Sequence, residues 1–181
     1  MRIIIASDIH GSALYCGQLL EAFRREGAEK LLLLGDILYH GPRNDLPDGY
    51  APKEVTAQLN ACAGSILGVR GNCDAEIDQM VLQFPMMADY CLLYAAGRTV
   101  FATHGHVYNT ASLPPLQPGD ILLHGHTHVP CWEEFGNGNL YLNPGSVSLP
   151  KEDSPRGYLL LTDTAFIWKD LAGHEYHRLE L

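Results

Sequence analysis

The chain has 181 residues, of which 46% are hydrophobic and 18% charged, as expected for a folded domain with a sizeable core. It carries 12 Lys plus Arg against 21 Asp plus Glu, a formal net charge of -9, which repels nucleic-acid backbones and anionic membranes. Non-specific nucleic-acid binding is therefore not expected. No apolar run approaches the roughly 18 residues that span a bilayer, and the N-terminal apolar stretch is too short for a signal peptide. These features favour a cytoplasmic protein with no membrane partner.

The first half of the chain has the pattern of a parallel α/β unit. Short apolar runs predict buried strands at residues 2–6, 30–34 and 65–69. Apolar residues at helical spacing predict helices at 12–26 and 53–62. A strand, helix, strand order of this kind places the strands in parallel.

The second half consists of short β-rich runs separated by turn residues. Gly97, Asn137-Gly138 and Asp163 mark expected hairpin turns. The runs lie at residues 90–94, 99–103, 121–123, 140–142, 158–161 and 166–168, and residues 174–177 also read as a strand. Because no repeat or linker interrupts the chain, we expect a single domain over residues 1–181. Its class is α/β with a substantial antiparallel component.

Polar side chains follow each of the first three predicted strands. Asp8 and His10 come after the first strand, Asp36 after the second and Asn72 after the third. Ligands bind beyond the carboxyl ends of parallel strands, so these four side chains can converge there. Any one of them alone is explained about equally well as a turn or helix N-cap residue.

Histidines cluster after two later strands. Five of the nine histidines fall between positions 104 and 128, in Thr103-His104-Gly105-His106 and in the segment 123–128. Neutral imidazole is a common ligand of divalent transition metals, and the glycines allow close backbone approach. The five cysteines form no C-x-x-C pair, so neither a thiolate zinc site nor a disulfide framework is indicated.

The donor set is large enough for more than one metal ion. A tetrahedral zinc takes about four ligands, whereas two octahedral ions that share a carboxylate use about seven and keep open positions. The candidate ligands are Asp8, His10, Asp36, Asn72, His104, His126 and His128. The sequence therefore favours a centre with two divalent ions.

The order of these motifs identifies a family resemblance. D-x-H at residue 8, G-D at 35, G-N-x-D at 71, H-G-H at 104 and G-H-x-H at 125 resemble the calcineurin-like metallophosphoesterases. The short length and the loop at residues 40–44 are similar to the short bacterial and archaeal phosphodiesterases of that superfamily. The resemblance implies two packed mixed β-sheets flanked by helices, an αββα sandwich with two metal ions at one edge.

The resemblance also assigns the ligands. It places one ion on Asp8, His10, Asp36 and His128. It places the other ion on Asp36, Asn72, His104 and His126, so that Asp36 bridges the two. An aspartate can serve both ions because it carries two carboxylate oxygens.

Four further residues lie near these motifs. His106 is a candidate contact to the phosphoryl oxygens, and Arg43 is a candidate substrate-binding group that is equally well explained as a solvated loop residue. Cys73 stands where many superfamily phosphatases have a histidine that assists the leaving group, and a thiol replaces it poorly. A core role for Cys73 is the alternative. His124 faces the other side of its strand and is expected to be structural.

These features predict hydrolysis of a small-molecule phosphodiester by a hydroxide that bridges two metal ions. Manganese is the first choice, although Fe, Ni, Co or Zn would accept the same ligands. Two alternatives stay open: phosphomonoester hydrolysis at the same site, and a non-catalytic metal-binding interaction scaffold. A metallo-β-lactamase-like hydrolase is less compatible, because Val129-Pro130 follows His128 where that family has other motif residues. The sequence leaves the oligomeric state open and is compatible with a homo-oligomer.

Overall fold

The computed structural model describes all 181 residues and contains eleven strands and three α-helices. The first six strands are β1 (Ile3–Ala6), β2 (Lys30–Leu33), β3 (Ile66–Gly68), β4 (Tyr90–Ala95), β5 (Arg98–Thr103) and β6 (Ile121–His124). The remaining strands are β7 (Pro130–Phe135), β8 (Asn139–Pro144), β9 (Gly157–Leu161), β10 (Ala165–Asp170) and β11 (Glu175–Glu180). The helices are α1 (Ala13–Arg25), α2 (Pro52–Asn60) and α3 (Glu76–Val81), and a 3-10 turn covers Ala63–Ser65.

The strands form two mixed sheets. The first has the order β11-β10-β9-β1-β2-β3, and the second has the order β4-β5-β6-β8-β7. Strands β1, β2 and β3 are parallel, as the first half of the sequence predicts. The last three strands extend this first sheet, because β9 pairs antiparallel with β1. The first sheet is therefore built from both ends of the chain.

Strand β1 is buried on both faces. Ile4 and Ala6 pack in one cluster with residues of α1 and α2. Ile3 and Ile5 pack in a second cluster with β5, β6 and β8 of the second sheet. Burying one such side chain contributes roughly 1.5–3 kcal/mol, which explains the uninterrupted apolar run. The first sheet thus lies between the helices and the second sheet.

Helix α1 begins and ends where its sequence predicts. The Ser12 hydroxyl accepts a hydrogen bond from the backbone N–H of Tyr15 at 3.2 Å, which caps the first turn. Cys16 and Leu19 face the first sheet, and the helix ends before Gly27, whose φ is +59°. The cap fixes α1 immediately after the segment that carries Asp8 and His10.

The predicted fold of two packed mixed sheets with flanking helices is confirmed, but two observed elements were not predicted. Helix α3 and edge strand β7 have no buried residue, so neither has a core-facing apolar pattern. All three helices precede residue 82, and the strands and loops at residues 90–144 contain none. The edge strand β4 of the second sheet instead leaves Tyr90, Leu92 and Tyr94 exposed. No helix in the structure combines the length and apolar composition needed to cross a membrane.

Candidate metal centre

The candidate ligands lie where the two sheets meet at one edge. Asp8 and His10 follow β1, Asp36 follows β2, and Asn72 follows β3 in the first sheet. The second sheet brings His104 after β5, and His126 and His128 after β6. The loops join across the sheets, because His104 Nδ1 donates a hydrogen bond to the Leu34 carbonyl at 2.7 Å. All seven side chains predicted as ligands therefore come to this edge.

One group of donors surrounds Asp8. Its Oδ1 lies 3.2 Å from His128 Nε2 and 3.5 Å from His10 Nε2. The two imidazole Nε2 atoms are themselves 3.3 Å apart. Three potential ligand atoms from two sheets thus face one point, and all three side chains are almost fully buried.

A second group lies on the other side of Asp36. Asp36 Oδ2 lies 3.5 Å from His104 Nε2 and 3.7 Å from His10 Nε2. His104 Nε2 is also 3.0 Å from Asn72 Oδ1 and 3.1 Å from His126 Nδ1. Asp36 therefore stands between the two groups of donors.

Backbone carbonyls orient three of the imidazoles. His10 Nδ1 donates to the Tyr39 carbonyl at 2.9 Å, and His128 Nδ1 donates to the Leu149 carbonyl at 2.6 Å. His104 makes the equivalent bond to Leu34. These bonds leave each Nε2 free and aimed into the cluster, which is the usual arrangement of metal-binding histidines.

The residues present fit divalent cations. Asp8 Oδ1 is buried without any hydrogen-bond donor, and a buried carboxylate oxygen is costly unless a positive charge compensates it. Burial alone would raise the pKa of the Asp8 carboxyl. The contacts with His10 and His128 outweigh burial and hold this pKa well below its ordinary value. Burial lowers the His104 pKa, but the contact with Asp36 outweighs it and raises this pKa to about 9.

The loops that carry these residues are conformationally strained. Of the nine non-glycine residues with positive φ, five are candidate ligands, with φ between 48° and 67°. They are Asp8, His10, Asp36, His126 and His128. Residues other than glycine rarely adopt a positive φ, and backbone strain of this kind concentrates at functional sites. Burial among fixed hydrogen bonds maintains these conformations.

Two supporting groups were not predicted as site residues. The buried Asp74 carboxylate accepts the backbone N–H groups of Asp36 at 2.8 Å and of Gly71 at 2.7 Å. The Asp8 carbonyl accepts hydrogen bonds from the hydroxyls of Ser146 at 2.9 Å and Ser148 at 3.1 Å. The fourth position of G-N-x-D is the only sequence signal for Asp74. Its role depends on a contact 38 residues away, which a local motif does not reveal.

The remaining predicted site residues surround the donor cluster. His106 is exposed beside it, with its ring centroid 5.3 Å from that of His104. Cys73 is half-buried, and its backbone N–H donates to Asp36 Oδ1 at 2.8 Å. Burial, followed by the charge of Asp36, raises the pKa of the Cys73 thiol to about 12. His124 instead is buried and stacks on Tyr141, with ring centroids 4.3 Å apart.

A cavity of about 460 Å³ opens beside these residues. Its lining includes Asp36, Asn72, His126 and His128 from the donor cluster. Cys73 and the exposed Arg43 also line it, while only one of its eleven lining residues is hydrophobic. The dimensions suit a small molecule, and the lining suits a polar one. The candidate ligands are therefore accessible to a small polar substrate.

Two packed mixed sheets with imidazole and carboxylate donors at one shared edge define a metallohydrolase-like architecture. The chain belongs to the calcineurin-like phosphoesterase superfamily, whose domain model matches residues 1–165. The resemblance drawn from the five motifs is thereby confirmed. The protein is a phosphoesterase with a candidate metal-binding site of Asp and His residues.

Similar proteins support this placement. The chain is 47% identical over 161 residues to phosphodiesterase YfcE of Escherichia coli K12, covering 89% of this chain and 87% of that protein. The solved structure of E. coli YfcE, described as a phosphoesterase, matches with a TM-score of 0.94 and covers 99% of this chain and 98% of that one. Probable metallophosphoesterase YsnB of Bacillus subtilis is 28% identical over 191 residues, covering 99% of this chain and 97% of that protein.

Proposed function

We propose that the protein hydrolyses a small-molecule phosphodiester with the help of two divalent metal ions. The observation that carries the proposal is the arrangement of Asp36 between two groups of imidazole donors at the base of a polar cavity. A 47% identical relative that is named a phosphodiesterase supports the choice of a diester. Hydrolysis therefore takes place at the inner end of the cavity.

The proposed ligands divide into two sets that share Asp36. One ion would be held by Asp8, His10, Asp36 and His128, whose donor atoms face one another. The other would be held by Asp36, Asn72, His104 and His126. When bound, two such ions lower the pKa of water to give hydroxide at neutral pH and neutralise charge on the phosphoryl oxygens. Manganese is our first choice, and Fe, Ni, Co or Zn would accept the same nitrogen and oxygen donors.

Side chains around the ligands orient the substrate. His106 does not line the cavity but is exposed next to His104, and its proposed role is to contact a phosphoryl oxygen of the bound substrate. Asn72 combines metal binding with a position on the cavity wall. Arg43 can bind an anionic oxygen through its guanidinium, and Cys73 lies beside the reacting group. These residues supply position and charge, while no side chain serves as the nucleophile.

The neutral Cys73 favours diesters over monoesters. A thiol whose pKa is raised to about 12 keeps its proton at neutral pH, so it offers no positive charge to a dianionic monoester. It is also a poor acid towards an alkoxide leaving group. A diester carries a single negative charge and needs less of this help, provided that its leaving group is acidic.

The wider setting agrees with a small-molecule enzyme of the cytoplasm. All five cysteines are free thiols, which is usual in reducing compartments. The net charge of -9 disfavours nucleic acid as a non-specific partner. We accordingly propose a cytoplasmic enzyme that acts on a small-molecule phosphodiester, without non-specific binding to nucleic acids and without a membrane partner.

The test measures metal content and turnover together. Metal-free protein is reloaded with Mn²⁺ and given bis(p-nitrophenyl) phosphate or p-nitrophenyl phosphate. We expect about two bound ions, diester hydrolysis only after reloading, and a higher kcat/KM for the diester. His104→Gln should lose both metal and activity, whereas His174→Gln, on the surface, should retain both. Turnover that survives chelation in protein without bound metal would contradict the proposal.

A further inference from the structure

The outer part of the cavity carries two positive charges. Its charged lining residues are Asp36, Arg43 and Lys151, and Asp36 belongs to the donor cluster. The other two are both cations on exposed loops. The chain as a whole has a net charge of -9, so two positively charged side chains beside one cavity give this region a charge opposite to that of the protein.

Neither cation is neutralised within the protein. No carboxylate forms an ion pair with Arg43 or Lys151, and neither side chain donates a hydrogen bond within the chain. Acidic residues do lie nearby in sequence, at Asp45, Glu152 and Asp153, but none of them lines the cavity. The cavity therefore presents two unpaired positive charges to a ligand.

The backbone of Lys151 is tied to a candidate metal ligand. Its N–H donates to the His128 carbonyl at 3.2 Å, and its own carbonyl accepts the Ser154 hydroxyl at 2.6 Å. Two residues earlier, the Leu149 carbonyl accepts His128 Nδ1 at 2.6 Å. The ammonium group thus extends from a backbone position that is held in place relative to the metal centre.

Arg43 extends from an equally constrained turn on a different loop. Asn44 Nδ2 donates to the His40 carbonyl at 2.8 Å, and the Asn44 N–H donates to the Gly41 carbonyl at 3.3 Å. Gly41 itself has a φ of +81°, which a residue with a Cβ rarely adopts. Both cations therefore approach the cavity from fixed loop backbones, although their side chains are exposed.

We propose that Arg43 and Lys151 select phosphodiesters that carry a terminal phosphate on the part that is not expelled. This inference rests on the proposed function, because the metal centre accounts for the reacting phosphodiester, so that Arg43 and Lys151 are available to bind an anionic group elsewhere on the substrate. A terminal phosphate is close to dianionic at neutral pH and matches two positive charges, with the guanidinium binding two oxygens and the ammonium a third. A cavity of about 460 Å³ with mostly polar walls can accommodate such a group.

The test compares three diesters that share a p-nitrophenyl leaving group. The second ester group is ethyl, 2-carboxyethyl or 2-phosphooxyethyl, so that the leaving group stays the same while the charge changes. With Mn²⁺-loaded protein, we expect kcat/KM for the phosphorylated diester to exceed that for the ethyl diester by about tenfold or more, with the carboxylate in between. The advantage should shrink at high salt, because exposed cations are screened.

Substitution of the two cations tests whether they cause the preference for the phosphorylated diester. Arg43→Gln and Lys151→Gln should each lower the ratio of phosphorylated to ethyl kcat/KM by about threefold or more, and the double variant should lose the preference. The loss should fall mainly on KM, since the contact is to a group that does not react. Lys53→Gln removes an exposed lysine outside the cavity and should leave the ratio unchanged.

The outcomes separate this inference from the proposed function. Equal kcat/KM for the ethyl and phosphorylated diesters, or a ratio unmoved in the double variant, would overturn the role of the two cations while leaving diester hydrolysis intact. An equal preference for the carboxylate would overturn the assignment to a phosphate. Hydrolysis of none of the three diesters by metal-loaded protein would instead contradict the proposed function.

Discussion

We propose that Asp36 is the residue shared by the two metal ions. Its Oδ2 faces His10 on one side and His104 on the other, whereas Asp8 Oδ1 is closest to His10 and His128. Asp36→Asn should therefore reduce the affinity for both ions and lower kcat/KM by about a hundredfold or more. Asp8→Asn should mainly weaken one ion. Elemental analysis after gel filtration, together with diesterase assays, checks the difference.

The two variants are well matched controls for each other. Both aspartates have positive φ, and asparagine tolerates that region, so neither substitution should strain the backbone further. Thermal unfolding in chelator confirms that both variants fold. Equal metal content and equal residual activity in the two variants would show that Asp36 does not bridge.

We propose that Cys73 determines the charge beside the reacting phosphate. Cys73→His would place a larger and more basic ring in the cavity, where an imidazolium can assist a leaving group or bind a dianion. We expect the ratio of monoesterase to diesterase kcat/KM to rise by about tenfold or more, because general acid catalysis contributes factors of that order. The measurement is this ratio at equal metal occupancy, with Cys73→Ser as the control of similar size. A ratio that stays at the wild-type value in fully metallated Cys73→His would mean that position 73 does not govern specificity.

At the scale of secondary-structure elements, a charged contact holds the end of α1 against the first sheet. Lys169 Nζ on β10 donates to both oxygens of Glu26, at 2.8 and 3.0 Å, and the Tyr158 hydroxyl on β9 donates to one of them at 2.8 Å. Arg25 reaches the same place through a bond to the Tyr158 hydroxyl at 3.3 Å. These contacts hold the C-terminal end of α1 against strands β9 and β10.

This contact predicts an acid-sensitive part of the stability. Burial alone would raise the pKa of Glu26, but the contacts with Lys169 and then Tyr158 lower this pKa below its ordinary value. A lowered carboxyl pKa stabilises the fold above the unfolded pKa, and this contribution is lost as pH falls through the folded pKa. Glu26→Gln should therefore lower the free energy of unfolding at pH 7 by about 1–3 kcal/mol and by less near pH 3. Urea unfolding at both pH values measures the difference.

Glu21→Gln is the control for this prediction. Glu21 lies on the same helix and is exposed, so its loss should leave the free energy of unfolding nearly unchanged at both pH values. If Glu26→Gln lost the same free energy at pH 3 as at pH 7, the ion pair would not be the source of the acid sensitivity.

At the scale of the whole molecule, metal binding should join the two sheets. The candidate ligands come from loops after β1, β2 and β3 of one sheet and after β5 and β6 of the other. An ion that binds only the folded state at a hundred times its dissociation constant contributes about 2.7 kcal/mol. For a chain of this length, that raises Tm by roughly 5–10 °C per ion.

Calorimetry of chelated and Mn²⁺-reloaded protein tests this expectation. The Tm should fall on chelation and recover on reloading, with a smaller recovery in Asp36→Asn. An identical Tm with and without Mn²⁺ would show that the donors do not link the sheets through a metal.

Local patterns predicted much of the first sheet and several of the hairpins. Strands β1 and β2 are buried on both faces, so their apolar runs are strong signals even without knowledge of their neighbours. Two elements were missed because α3 and β7 bury too little to show an apolar period. The antiparallel pairing of β9 with β1 could not be predicted either, since it joins residues more than 150 positions apart.

The sequence by itself determined which side chains can serve as metal ligands. It also determined that each of them follows a strand, because a carboxylate or imidazole after an apolar run is a local feature. Only the tertiary structure decided which donors share a point in space. His10 and His128 are separated by 118 positions, and their Nε2 atoms meet at 3.3 Å because the two sheets pack face to face. The positioning of Asp36 by Asp74 and the placement of Lys151 beside His128 likewise depend on loop contacts that no periodicity encodes.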